Sequence, residues 1–194
     1  MGKCIAYVAA AVVFTGLGAL IAGLAVWYAV PEVAVKFTSE SRRAECQLES
    51  TQNVSGTIYF HQSSESGPVD IGGNVTGLTP GKHGFHIHAF GVSGTDCKAA
   101  GGHYNPFQSN HSAPNATERH VGDLGNILAG EDSVAYVDIL DNEVTLFGWY
   151  SVLGRAVVVH AGEDDLGLGG NDGSLSTGNA GGRVACCTIF AVPE

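Results

Sequence analysis

The sequence predicts an all-β domain, an antiparallel sandwich or barrel with two long functional loops, preceded by an N-terminal hydrophobic helix. Three observations lead there. Beyond residue 43 the apolar residues fall in short, β-rich runs bounded by Gly, Asn, Asp or Pro. Nothing in that region carries a long apolar repeat of 3.6 residues. Many short strands joined by glycine-rich turns are best satisfied by two packed sheets or one closed sheet.

Residues 1–30 read as a signal anchor or signal peptide. From Cys4 to Val30 no residue is charged, and about 20 apolar residues suffice for a membrane-spanning helix. Lys3 precedes the run, and Trp27 and Tyr28 lie near its far end, where amphipathic aromatics favour the interface. A cleaved signal peptide has an apolar region of roughly 7–15 residues, so the length favours an uncleaved single-pass anchor with its N-terminus inside. Cleavage stays open, because Gly23-Leu24-Ala25 offers small residues at a suitable place. Gly2 invites a myristoylation reading, but Ala6 stands where that motif needs Ser or Thr. Both readings put the rest of the chain outside the cytosol, in an extracellular or secretory-pathway space, with anchoring favoured over full secretion.

Residues 31–43 form a polar stem that begins at Pro31, and the folded domain is expected over 44–194. Strands are expected at 44–50, 56–62, 69–76, 82–89, 134–140, 144–149, 155–160 and 184–192. Two connections are long, from about Gly91 to Ser133 and from Ala161 to Arg183. Loops beyond about 12–15 residues in a compact domain are usually functional, and metal ligation would supply the order that backbone pairing does not.

The formal net charge of −10 argues against nucleic acid or an anionic membrane surface as partner. Sequons begin at Asn53, Asn74, Asn110 and Asn115. Asn110 adjoins a candidate ligand, which leaves Asn53, Asn74 and Asn115 as glycosylation candidates. Cys97 and Cys186 are compatible with a disulfide in an oxidising compartment. Cys46 and Cys187, on the expected first and last strands, read as buried thiols rather than a second disulfide. Cys4, at the membrane edge, reads as an unmodified thiol.

Of eight histidines, six form a set with Asp123: His86, His88, His103, His111, His120 and His160. Imidazole is the commonest metal-binding side chain. His86 and His88 form an H-x-H on an expected strand, where residues i and i+2 share a face. His160 ends another apolar strand and can approach from a neighbour. Three imidazoles on strands suit copper or zinc, whereas His103, His111, His120 and Asp123 suit a closed tetrahedral zinc site. Either the two sites are independent or one histidine joins both, and His103, nearest the strand pair, is the natural bridge. His83 reads as structural, hydrogen-bonded within the barrel, and His61 as an exposed strand residue. The Gly-rich 167–182 stretch lacks the strand–GxxxxGK–helix setting of a phosphate loop.

The segments GFHIHAFG, AGGHYNP, ERHVGDLGN, GRAVVVHAGEDDLGLGG and GNAGGRVAC together resemble the copper/zinc superoxide dismutase family over roughly residues 44–193. The resemblance implies an eight-stranded Greek-key β-barrel with copper and zinc as cofactors. It implies copper at His86, His88, His103 and His160, and zinc at His103, His111, His120 and Asp123. It further implies a Cys97–Cys186 disulfide, a homodimer, and superoxide as the substrate converted to oxygen and hydrogen peroxide. By the same resemblance His103 carries a proton, Arg183 attracts and orients the anion, and Asp164 holds a copper histidine and a zinc histidine in place. A non-catalytic, copper-handling member of the fold is the alternative, which loss of a copper histidine or of Arg183 would favour; neither is lost. One departure stands out. Where family members often carry lysines in the second long loop, this chain has Gly162, Leu168 and Ser176, so weaker electrostatic steering is expected.

Overall fold

The computed structural model describes residues 40–193; the apolar N-terminal run, most of the stem and Cys4 lie outside the described residues. The chain forms β1 (Arg42–Leu48), β2 (Ser55–Gln62), β3 (Val69–Thr76), β4 (Gly81–His88), β5 (Asp123–Ala129), β6 (Val134–Asp141), β7 (Ala156–His160), α1 (Asp172–Thr177), β8 (Arg183–Thr188) and β9 (Phe190–Val192). Alternation sets the outer strands: Ala44, Cys46 and Leu48 of β1 point inward while Arg43, Glu45 and Gln47 face solvent. By contrast β7, AVVVH, is buried on both faces.

All pairings are antiparallel, in the order β8-β7-β4-β5-β6-β3-β2-β1-β9. Only Ile189 separates β8 from β9, so the last strand lies against β7 at one end and β1 at the other. Reciprocal backbone bonds between Glu49 and Cys186, at 2.9 and 3.1 Å, carry that closure further. The expected eight-stranded barrel is therefore present, with its last strand broken in two. The passages from β3 to β4 and from β6 to β7 each cross over two strands, which is the Greek-key path. Phe60, Phe85, Ile58, Ile71, Ile87 and Leu146 fill the interior.

Three expectations are corrected. Residues 144–149 are not a strand. Val144 and Leu146 are buried, but Leu146 N–H donates to Gln62 Oε1 and its carbonyl accepts from Arg42 Nη1. Side chains take the bonds a neighbouring strand would have made, and the segment plugs the barrel. Conversely, residues 123–129 are a strand, which shortens the first long loop. Gly125 in β5 has φ +75°, and the β4–β5 register shifts between Gly84 and His86, so the period-2 signal is broken there. Finally, Cys46 and Cys187 form a disulfide, alongside the Cys97–Cys186 bridge. Adjacent residues on β8 point to opposite sides, Cys187 inward toward β1 and Cys186 toward the first long loop.

Candidate metal centre

The inward face of β4 gives Phe85 and Ile87 to the core, so the alternate residues His86 and His88 fall on the opposite face beneath the two long loops. Strand β7 lies beside β4, with Phe85 opposite Val159, and ends in His160. The first loop returns along β4 through a bridge between His88 and His103, which carries His103 into the group. His88 Nε2 lies 3.3 Å from His160 Nε2, and the His86 and His103 ring centroids are 4.1 Å apart. One ligand atom from each of His86, His88, His103 and His160 lies within 4.8 Å of the others, and all four residues are buried.

A second group shares His103. Asp123, the first residue of β5, turns one oxygen, Oδ1, toward three Nδ1 atoms: His103 at 2.8 Å, His111 at 2.9 Å and His120 at 3.1 Å. Its other oxygen accepts the backbone N–H groups of Ser112 and His120, which fixes the carboxylate. The two groups thus meet at one ring, as a bridge and not as independent sites.

Asp164 spans them from the second loop. Oδ2 accepts from His86 Nε2 at 2.8 Å and Oδ1 from His111 Nε2 at 2.7 Å. Because those nitrogens carry the donated protons, each ring has its Nδ1 left to face inward. His86 Nδ1 is buried with no hydrogen-bond partner, and the inward neighbour of buried His111 Nδ1 is Asp123 Oδ1. Unpaired buried nitrogen is costly; His86 Nδ1 in one group and the three Nδ1 atoms converging on Asp123 Oδ1 in the other fit two metal ions. The donor sets agree: imidazoles alone suit copper, and three imidazoles with a carboxylate suit zinc.

The electrostatics point the same way. Burial depresses His86 to about 3, His88 to about 2 and His160 to about 4, so those rings are neutral at neutral pH and each keeps one lone pair free for a metal. Burial also lowers His111, but hydrogen bonds to Asp123 and Asp164 outweigh it and push the ring up to about 9. A position between two carboxylates calls for a positive charge, which a metal ion provides. Burial disfavours the Asp123 anion, yet its histidine hydrogen bonds hold the carboxyl well below the usual range.

A family model, copper/zinc superoxide dismutase (SODC), matches residues 54–189. The chain belongs to the copper/zinc superoxide dismutase family. Its reaction is the dismutation of superoxide to oxygen and hydrogen peroxide, with copper and zinc as its metals. In this dismutase Arg183 opens β8, with a register shift across from His160. It is half-buried and donates Nη1 to Cys97 O at 2.6 Å and Nη2 to Gly101 O. The same Gly101 carbonyl accepts His88 Nδ1–H at 2.9 Å, which ties the guanidinium to a ring of the centre.

Two further residues serve the dismutase centre without having been singled out in the sequence. Asn126 of β5 bonds Asp164 on both sides, Nδ2 to its carbonyl and Oδ1 from its N–H, each at 2.8 Å. Buried Arg119 donates to the carbonyls of His120, Val121 and Asp123 and pairs with Asp141 at 2.6 Å. The adjacency of Arg119 to His120 was the only hint, since its partner Asp141 is remote in sequence. His83 is structural: its ring nitrogens meet His160 O at 2.7 Å and Thr79 O at 2.8 Å.

Proposed function

We propose that copper is held by His86, His88, His103 and His160, and zinc by His103, His111, His120 and Asp123. The observation that carries the assignment is the inward, unpartnered Nδ1 of His86 together with the convergence of three Nδ1 atoms, from His103, His111 and His120, on Asp123 Oδ1. Bound copper supplies the one-electron change between Cu(II) and Cu(I), which zinc lacks, so zinc is the structural ion.

The chain's own groups do the rest. Arg183 keeps its charge near the copper-side rings, where it draws in and orients an anion the size of superoxide. His103 turns Nδ1 to Asp123, so its Nε2 is the atom at which a proton is held and then passed to the forming peroxide. Asp164 fixes the orientation of His86 and His111. Metal content and superoxide consumption of the wild type beside His160→Ala test this reading: the variant should lose copper and activity together. Full activity in that variant, or a wild type that takes up zinc without copper, overturns it.

We also propose that the dismutase works outside the cytosol, tethered by residues 1–30. Two disulfides and exposed sequon residues Asn53, Asn74 and Asn115 support that placement. A homodimer through the Phe90 and Phe190 surface completes the proposal. Both rings are exposed, and Thr188 Oγ1 binds the Val92 backbone on both its N–H and carbonyl sides at 2.7 Å, so the two segments share a surface. Its check is the molar mass in solution.

A further inference from the structure

The largest unexplained exposure lies away from the metals, on the turn that follows the plug segment 144–147. Trp149 is 97% exposed, with Phe107 at 58% and Tyr150 at 51% beside it. These rings are held in place. Gly148, at φ +66°, and the Ser151 N–H bond to its carbonyl form the turn. The Phe107 and Tyr150 centroids are 5.0 Å apart, and Tyr104 Oη donates to the Tyr150 carbonyl. Indole left in water on a fixed turn is what a binding surface looks like, because exposed aromatic clusters mark interaction sites.

What covers it follows from where the chain comes into the barrel. Arg42 Nη1 donates to Leu146 O at 2.8 Å, and its guanidinium stacks 4.0 Å over the Phe147 ring. The first residues of the domain are therefore pinned two positions from Trp149. Before them lie residues 31–41, which fully stretched reach roughly 40 Å, and then the uncharged run Cys4–Val30. A stem of that length leaves the aromatic turn within reach of a bilayer that holds the run. Arg43, exposed on β1, adds a basic group suited to lipid phosphates. The net charge of −10 rules out general electrostatic attraction, so aromatic insertion must carry the contact.

We infer that Trp149, Tyr150 and Phe107 form a second membrane contact that seats in the headgroup–acyl boundary and orients the barrel on the bilayer. The inference rests on the proposed tether, and its test separates the two. The chain has two tryptophans, so in Trp27→Phe the only indole is Trp149, and in Trp149→Phe it is Trp27. Each full-length variant is reconstituted into phosphatidylcholine vesicles containing lipids brominated high on the acyl chain. Emission from Trp149 should shift to the blue and be quenched, and mutation of Phe107 and Tyr150 to serine should reverse both changes. Quenched Trp27 beside red, unquenched Trp149 overturns the contact while leaving the tether. A protein that does not stay with the vesicles overturns both.

Discussion

The Arg183 guanidinium donates to the carbonyl of Cys97 at 2.6 Å, and Cys97 is bonded through sulfur to Cys186, three residues further along the strand that Arg183 begins. Backbone, disulfide and side chain close a small ring. The bridge thus positions the Arg183 cation beside the copper-side rings, in addition to fastening the loop.

Breaking that ring should lower activity without removing metal. Arg183→Ala is expected to reduce kcat/KM for superoxide by about ten- to a hundredfold, the range over which local charge steers an anion. Cys97→Ser should cost less, about tenfold or below, with copper and zinc content unchanged. Pulse radiolysis with metal analysis on the same samples decides it; a Cys97→Ser enzyme as fast as wild type would sever the bridge from catalysis.

The Cys46–Cys187 bridge joins β1 to β8 over a sequence separation of 141. Replacing both cysteines with serine should destabilise the barrel by about 2–5 kcal/mol, read as a lowered unfolding midpoint in guanidinium. Activity of the still-folded protein should be unaffected, because neither sulfur touches the metal ligands. A double variant with an unchanged midpoint contradicts a stapling role.

Gly178 caps α1 at φ +63°, and a Cβ there would collide with Asp164 Oδ1 and His111 Nε2. Gly170 also has positive φ, at +70°, but open space around it. Gly178→Ala should therefore weaken zinc retention by about tenfold, the lower range for loss of a ligand's supporting partner. Gly170→Ala should show only backbone strain. Equal zinc loss in the two variants, measured by competition with a chelator, would remove Asp164 from the account.

Leu168 and Ser176 are exposed on the second loop and Gly162 is partly so, so that loop adds no lysine at these places to the Arg183 charge beside the copper-side rings. The rate should consequently fall less steeply with ionic strength than in family members that carry lysines in that loop. A stopped-flow salt series on both kinds of enzyme compares the slopes directly; equal slopes refute the weaker steering.

Most of the barrel was readable because inward and outward residues alternate along β1, β2 and β3, and because β7 is an unbroken apolar run. The reading failed where backbone bonds and side-chain pattern part company. Residues 144–147 alternate like a strand but spend their bonds on Gln62 and Arg42. Asp123–Ala129 pairs like a strand, but Gly125 and a bulge break its alternation. The seven metal-group residues were legible from type and spacing, since chemistry restricts what can sit there. Asn126 and Arg119 were not, because their roles depend on partners brought close only by the fold. Cys46 and Cys187 escaped for the same reason: a thiol on an inward position looks alike whether or not another faces it.

Cys186 and Cys187 each hold a distant partner, Cys97 and Cys46. Synthesis runs from the N-terminus, so neither native bridge can form until the final strand has left the ribosome. Until then Cys46 and Cys97 travel as free thiols whose only available mate among the domain's cysteines is each other. Pairing of this chain's cysteines is thus a late event with a built-in wrong answer.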